Sequence, residues 1–280
     1  MRENFLTKQL NMKVGIFGAN GRMGRVLIEA LQEHEQAQLT VATVRDDSPW
    51  VGMNVGELAG IGSLPIKCTA VSEINPTQVD VMIDFTLPAA FDSNLAWCVS
   101  HNIPVVIGTT GLSDEQLSSL KNAATQIPVV FAANYSVGVN VMLSLVKQAA
   151  RALGETADIE ILEAHHRYKQ DAPSGTAVAI GNAIADELGR NLKECAVYGR
   201  EGKEPPRDQK TIGFATVRGG DIVGEHTALF ADIGERLEIT HKASSRLTFG
   251  RGAVHAAKWL HGKKAALYGM DNVIGLKLQD

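Results

Sequence analysis

Residues 163–176 read E-A-H-H-R-Y-K-Q-D-A-P-S-G-T and gather groups able to move a proton or hold an anion. His165 and His166 are adjacent, and Arg167 and Lys169 follow. Imidazole changes charge near neutrality and so serves as a proton donor or acceptor at physiological pH. Lys169 adds a positive charge where negative charge could develop. Asp171-Ala172-Pro173 breaks regular structure. Ser174-Gly175-Thr176 has the composition of a helix start, with Ser174 or Thr176 suited to capping it. The first N–H groups of a helix, at the positive end of its dipole, form a site for carboxylate or phosphate. Imidazole, ammonium and anion cradle in one stretch point to proton chemistry on an acidic substrate. A charged surface loop beside an ordinary helix would use the same residue types. The coincidence of three such features, on a loop stiffened by Pro173, favours the chemical reading.

Such a stretch needs elements on both sides. Residues 158–162 alternate apolar and polar, the pattern of a half-buried strand. From Ala177 the chain is alanine-rich and predicts a helix to about Leu188. A polar loop holding both histidines therefore joins a strand to a helix. At the front of the chain, residues 12–17 read as a buried strand, 18–24 as a glycine turn and 25–31 as a helix, the opening of a dinucleotide-binding unit. The glycine spacing is G-x-x-G-x-x-G. Further strands are predicted at 38–44, 79–85, 103–107 and 127–133. Helices are predicted at 87–101 and 113–126, the latter opening on an S-x-x-Q capping box. This alternation predicts a Rossmann-like, doubly wound parallel sheet. Ligands of such sheets bind beyond the carboxyl ends of the strands. The segments 18–24, 44–45, 85–86, 108–111 and 132–135 all fall at those ends and together line one crevice. The end of the second strand usually holds an acid for the adenosine ribose. Here it holds Val44, followed by Arg45, with Asp46 and Asp47 already in the turn.

After a helix from about 137 to 153 the texture changes. Residues 190–210 predict a long exposed loop. Residues 211–217, 224–230 and 236–241 predict strands joined by short turns, giving a second, α+β domain with a mixed or antiparallel sheet. A helix at 248–261 and an apolar tail at 267–278 complete the chain. The resulting division is 12–134 for the dinucleotide domain, with 246–280 returning to it, and 135–245 for substrate binding and oligomerisation. Residues 1–11 are expected to be a disordered extension.

Composition excludes several classes. The 280 residues are 45% hydrophobic and 21% charged, enough for an ordinary core. The formal net charge of -4 argues against a general nucleic-acid binder. Cys68, Cys98 and Cys195 are scattered, which indicates neither a disulfide framework nor a metal site and fits a reducing, cytoplasmic setting. No apolar run approaches the length of a membrane span.

The stretch E-A-H-H-R-Y-K-Q-D-A-P-S-G-T-A, with G-A-N-G-R-M-G, G-T-T-G, A-N-Y-S-V-G-V-N and H-K-A-S-S-R, resembles the dihydrodipicolinate (4-hydroxy-tetrahydrodipicolinate) reductases of bacterial lysine and diaminopimelate synthesis. The resemblance covers the chain from Met12 onward. It implies a two-domain homotetramer that reduces a cyclic dicarboxylate with NADPH or NADH. It implies that His165 is the proton donor and Lys169 assists, and that His166, Ser174, Gly175, Thr176 and Arg246 hold the substrate. It places the cofactor on Gly18, Ala19, Asn20, Gly21, Arg22 and Met23, on Arg45, on Gly108, Thr109 and Thr110, and on Ala132, Ala133, Asn134 and Tyr135. Family members that use NADH well commonly have an acid where this chain has Val44, so NADPH is the expected preference. A related dehydrogenase, or a nucleotide-sensing protein lacking the proton chemistry, would share the first domain.

Overall fold

The structure, a computed structural model, describes residues 11–203 and 205–276. The expected extension at 1–11 lies, but for Asn11, outside them. The chain forms two compact units, one up to Tyr135 and again from Leu247, the other Ser136–Arg246.

The first unit opens with strand β1 (Met12–Phe17) and helix α1 (Arg22–Gln32), then β2 (Ala37–Val44), α2 (Val55–Ala59), β3 (Cys68–Ala70), β4 (Val81–Asp84), α3 (Pro88–Ser100), β5 (Val105–Ile107), α4 (Asp114–Ala123) and β6 (Pro128–Phe131). The second unit comprises α5 (Val137–Leu153), β7 (Asp158–His165), α6 (Gly175–Glu187), α7 (Leu192–Cys195), β8 (Ala196–Val197), β9 (Ile212–Arg218), β10 (Gly224–Asp232) and β11 (Glu235–Ala243). The chain then returns to the first unit with α8 (Leu247–Leu260), β12 (Ala266–Tyr268) and α9 (Met270–Val273).

The first sheet has seven strands in the order β12-β6-β5-β4-β1-β2-β3, all neighbours parallel. Parallel strands are buried on both faces, and β1, β4 and β5 are accordingly almost wholly apolar and buried. Helix α3 turns Phe91, Asn94, Leu95 and Cys98 inward at the spacing of one helical face. The capping box at Ser113 forms as expected, with Gln116 N–H donating to Ser113 Oγ at 3.3 Å and Ser113 N–H to Gln116 Oε1 at 3.2 Å. The strands β3 and β12 were not foreseen. Residues 267–278, expected as an apolar tail, instead begin inside β12, which extends the sheet beyond β6; the end of that segment lies outside the described residues.

The second sheet is mixed, in the order β11-β10-β7-β9-β8. β7 is its middle strand, antiparallel to β10 and parallel to β9. The segment 190–210, expected as a loop, contains α7 and the short β8, which pairs with β9. Ile159 and Ile161 of β7, Phe214 of β9 and Ala228 and Phe230 of β10 lie on one face and join the core beneath α5 and α6. Strand β7 also continues to His165, so Glu163 and His165 belong to the strand and not to the loop after it.

The turn between β1 and α1 depends on glycine at two places. Gly18 has φ +69°, and a Cβ there would lie 2.8 Å from Thr86 Cγ2. A Cβ on Gly24 would collide with the carbonyl oxygens of Gly18 and Ala19. Because those atoms are main chain in a packed core, the collision has no cheap relief. Gly24→Ala is expected to destabilise the first unit by about 1–3 kcal/mol and to weaken dinucleotide binding, read as a lower urea midpoint together with a raised Kd.

Candidate active site

The second unit's site grows out of its core. On β7 the inward positions run Ile159, Ile161, Glu163, His165, so the buried face turns from apolar to polar at its carboxyl end. The neighbouring strands change in step. Glu163 stands opposite Thr216 of β9 and His226 of β10, and His165 stands opposite Arg218.

Glu163 has a side chain with 0% exposure, and both oxygens are engaged. Arg218 grips it bidentately, Nη1 to Oε2 at 2.8 Å and Nη2 to Oε1 at 2.9 Å. The Ser174 N–H donates to Oε1 at 3.0 Å. His165 Nδ1 lies 2.6 Å from Oε2. Burial opposes ionisation of Glu163, but the hydrogen bonds from Arg218, His165 and Ser174 outweigh it and hold the carboxyl below the ordinary range. Arg218 also donates to the Asp171 carbonyl at 2.6 Å, tying the loop to the sheet.

His165 is 8% exposed. Burial draws its pKa below the ordinary 6.5 and the charges of Lys169 and Arg218 add to this, while Glu163 opposes them. Lys169 Nζ pairs with Asp171 Oδ1 at 2.9 Å, which holds the Asp171 carboxyl low. The Ala172–Pro173 peptide is cis. Ser174 caps α6, its Oγ accepting from Ala177 N–H at 3.1 Å and lying 2.9 Å from His226 Nε2. Gly175, next in the first turn, is exposed, and a Cβ there would face open space. His166 is anchored by its N–H to Ile222 O at 2.7 Å, and Arg246 Nη2 approaches His166 Nε2 to 3.5 Å. The unit thus brings His165 and Ser174 onto Glu163, sets Lys169 where its charge acts on His165, and sets Arg246 beside His166.

The first unit has its own cluster at the carboxyl end of its sheet. Among the described residues no side chain caps α1 at Gly21, and uncapped N–H groups at a helix start are of a kind suited to an anion. Asp84, 2% exposed, accepts from Thr86 N–H at 2.8 Å, Thr86 Oγ1 at 2.6 Å and Asn94 Nδ2 at 2.9 Å, with Thr109 Oγ1 at 3.3 Å. It ties the loop after β4 to the loop after β5. Gly108 packs on the Phe85 ring, where a Cβ has no room. Asn20, Gly21, Arg22, Arg45, Thr110 and Ala133 are exposed; Met23, Ala132 and Asn134 are half-buried.

Several of these residues have side chains committed elsewhere. Ala19 is buried and its N–H donates to Thr43 O at 2.7 Å. Tyr135 is 1% exposed and its hydroxyl donates to Ile107 O at 2.8 Å, so its ring is a core element packed on Phe85. Val44 is also buried in the core, whereas the Arg45 side chain is 84% exposed, 3.5 Å from Asp47. Asp46, a candidate substitute acid for the ribose, accepts from Ser72 N–H at 3.2 Å. Glu163, Arg218, His226 and Asp84 had no assigned role in the sequence. The available signal was period: Glu163 and His165 continue the alternation of Ile159 and Ile161, and His226 that of Ala228 and Phe230.

A parallel sheet opened by a glycine turn and an uncapped helix is the architecture of nicotinamide-dependent oxidoreductases. Solved structures share it. A dipicolinate-bound dihydrodipicolinate reductase from Paenisporosarcina sp. TG-14 superposes with a TM-score of 0.74 at 23% identity, over 94% of this chain and 99% of that one. GenD2 from gentamicin A biosynthesis, in complex with NAD, gives 0.57 at 14% identity, over 96% and 88%. At such identities the likeness is one of fold. The family profile for dihydrodipicolinate reductase, N-terminus, matches residues 12–135, and that for its C-terminus matches 138–274. The 4-hydroxy-tetrahydrodipicolinate reductase of Pseudoalteromonas atlantica is 63% identical over 94% of this chain and 99% of its own length. That of Acinetobacter baumannii is 56% identical over 94% and 96%. The chain belongs to the dihydrodipicolinate reductase family and is an oxidoreductase.

His226 has a consequence for stability. It is 4% exposed, and burial, followed by the charge of His165, lowers its pKa from 6.5 to about 4. The unfolded chain binds that proton below pH 6.5 while the folded chain refuses it until about 4, so stability falls as pH drops through this window. The full effect is on the order of 3 kcal/mol. His226→Gln lacks this term, and its urea midpoint is expected to fall less than the native one between pH 7 and pH 5.

Proposed function

We propose that the protein reduces 4-hydroxy-tetrahydrodipicolinate to tetrahydrodipicolinate in cytoplasmic lysine and diaminopimelate synthesis, with NADPH preferred to NADH. The observation that carries the reading is the site around Glu163: a buried histidine, a nearby lysine and the start of α6 within one unit. The names of the relatives and the dipicolinate bound to the Paenisporosarcina protein support a cyclic dicarboxylate substrate.

The cofactor's residues fit a dinucleotide. The start of α1 suits the pyrophosphate, and Arg45 and Arg22, both exposed, suit a 2′-phosphate. When bound, the reduced nicotinamide supplies a hydride. His165 supplies the proton to the carbon that gains electron density, and Lys169 stabilises the negative charge that develops there. Ser174, Gly175 and Thr176 hold one substrate carboxylate, and Arg246 with His166 the other. A homotetramer assembles through the second sheet, whose outer face exposes Leu162 and Val217.

His165→Gln is expected to keep cofactor binding and to lower kcat by ~10²–10⁴-fold; Lys169→Ala behaves similarly, and native-like turnover in either removes the assigned role. In the native enzyme kcat/KM falls as pH rises through the depressed pKa of free His165. The substrate's carboxylates raise that pKa, so the basic limb of kcat lies at higher pH than that of kcat/KM.

Cofactor choice is tested at Arg45. A charge-assisted hydrogen bond contributes roughly 1.5–3 kcal/mol. Arg45→Ala is therefore expected to cut kcat/KM for NADPH by about 10–100-fold and to leave that for NADH nearly unchanged. Because Val44 is buried, an acid introduced there would enter the core, and Arg45 gives the cleaner measurement.

A further inference from the structure

We propose that Glu163 is a positioning residue for the reduction: it locks His165 in the tautomer protonated on Nδ1, so that Nε2 is the atom through which His165 releases and regains a proton. This rests on the reading of His165 as the proton donor. An ionised carboxylate accepts hydrogen bonds and donates none. The hydrogen between His165 Nδ1 and Glu163 Oε2, 2.6 Å apart, therefore belongs to the imidazole. Nδ1 keeps it in both charge states, and the exchanging proton sits on Nε2.

Two neighbours make the arrangement effective. Arg218 meets both carboxylate oxygens and balances their charge, so Glu163 orients the ring without trapping it as an imidazolium. Gly224, the first residue of β10, faces the ring, and a Cβ there would lie 3.0 Å from Nε2; glycine keeps that atom clear. The same carboxylate receives Ser174 N–H at 3.0 Å. One anion thus fixes both the proton donor and the start of α6. The charged and titratable groups that face His165 are Glu163 on its own strand, Arg218 on β9, His226 on β10, and Lys169 with its partner Asp171 from the loop.

The tautomer is read directly by NMR of the full-length protein labelled with [15N]histidine, with His165→Gln locating the His165 signals. The native protein is expected to show Nδ1–H at every pH at which it is folded. Finding the proton on Nε2 alone in the neutral ring overturns the proposal, whatever the variants do. Glu163→Gln should lose the single tautomer and lower kcat by roughly 10–100-fold with KM for NADPH unchanged. Its basic limb should move to lower pH, because the anion that favours imidazolium is gone. Arg218→Met should move that limb the opposite way, since Glu163 is then left uncompensated beside the ring. Equal limbs in the two variants, or a Glu163→Gln enzyme with native tautomer and rate, would also sink the idea. If Glu163→Gln does not fold, the native spectrum and Glu163→Asp, which keeps the charge and should retain Nδ1–H, decide it. Native turnover in His165→Gln would instead defeat the proton-donor reading and leave the tautomer result standing.

Discussion

The second unit's polar cluster is organised by one buried carboxylate. Moving an ion into a protein interior costs several kcal/mol unless it is paired and its remaining lone pairs are met. Glu163 meets that condition through the Arg218 fork, the Ser174 N–H and His165. Each partner comes from a different part of the unit: β9, the start of α6 and β7 itself. Satisfying the charge therefore aligns the three segments that supply the site. Arg218 reaches on to the Asp171 carbonyl, so the loop with Lys169 is set by the same ion pair.

The first unit solves an analogous problem with no counter-ion among the described residues. Asp84 is buried, and its oxygens are met by the Thr86 N–H, two threonine hydroxyls and the Asn94 amide. Neutral donors suffice to pin the loops that follow β4 and β5. Glycines then shape the space. Gly18, Gly24 and Gly108 each lie where a side chain would strike a neighbour, so the backbone approaches closely in the glycine turn and in the loop after β5.

What was legible in the sequence follows from range. Strand, glycine turn and helix are local, and 12–31 could be read from a few residues; so could the capping box at Ser113. The cofactor-sheet alternation was legible because its strands are apolar runs separated by periodic helices. The short β3, β8 and β12 carry too few residues to show a period, and only pairing with β2, β9 and β6 makes them strands. The end of β7 was misread for a different reason. Glu163 and His165 look like loop residues, and what lets them occupy a strand is Arg218, 55 residues from Glu163 in sequence. The histidines, Lys169 and Ser174 could be singled out by type. The groups that hold them in place could not, because a pairing across two strands leaves no mark in a local window.

That distinction bears on how such a site tolerates change. A residue recognised by type acts on a ligand, and altering it changes one interaction. A residue like Glu163 acts on other residues, and altering it releases several at once. With Glu163 removed, the half-buried Arg218 would lose its carboxylate and keep only main-chain carbonyls, Ser174 would lose an acceptor and His165 would regain its choice of tautomer. The three losses share one group, so their energies cannot be summed as independent terms. Substitutions of Glu163 and Arg218 together should therefore cost less than the two single changes added, because either one already breaks the pair and leaves the other charge stranded. The outer face of the sheet is free of this constraint: Leu162 and Val217 are exposed neighbours of Glu163 and Arg218 in sequence, yet they alternate away from the ion pair. A two-residue period thus lets one pair of strands carry a rigid polar site on one face and an apolar surface on the other.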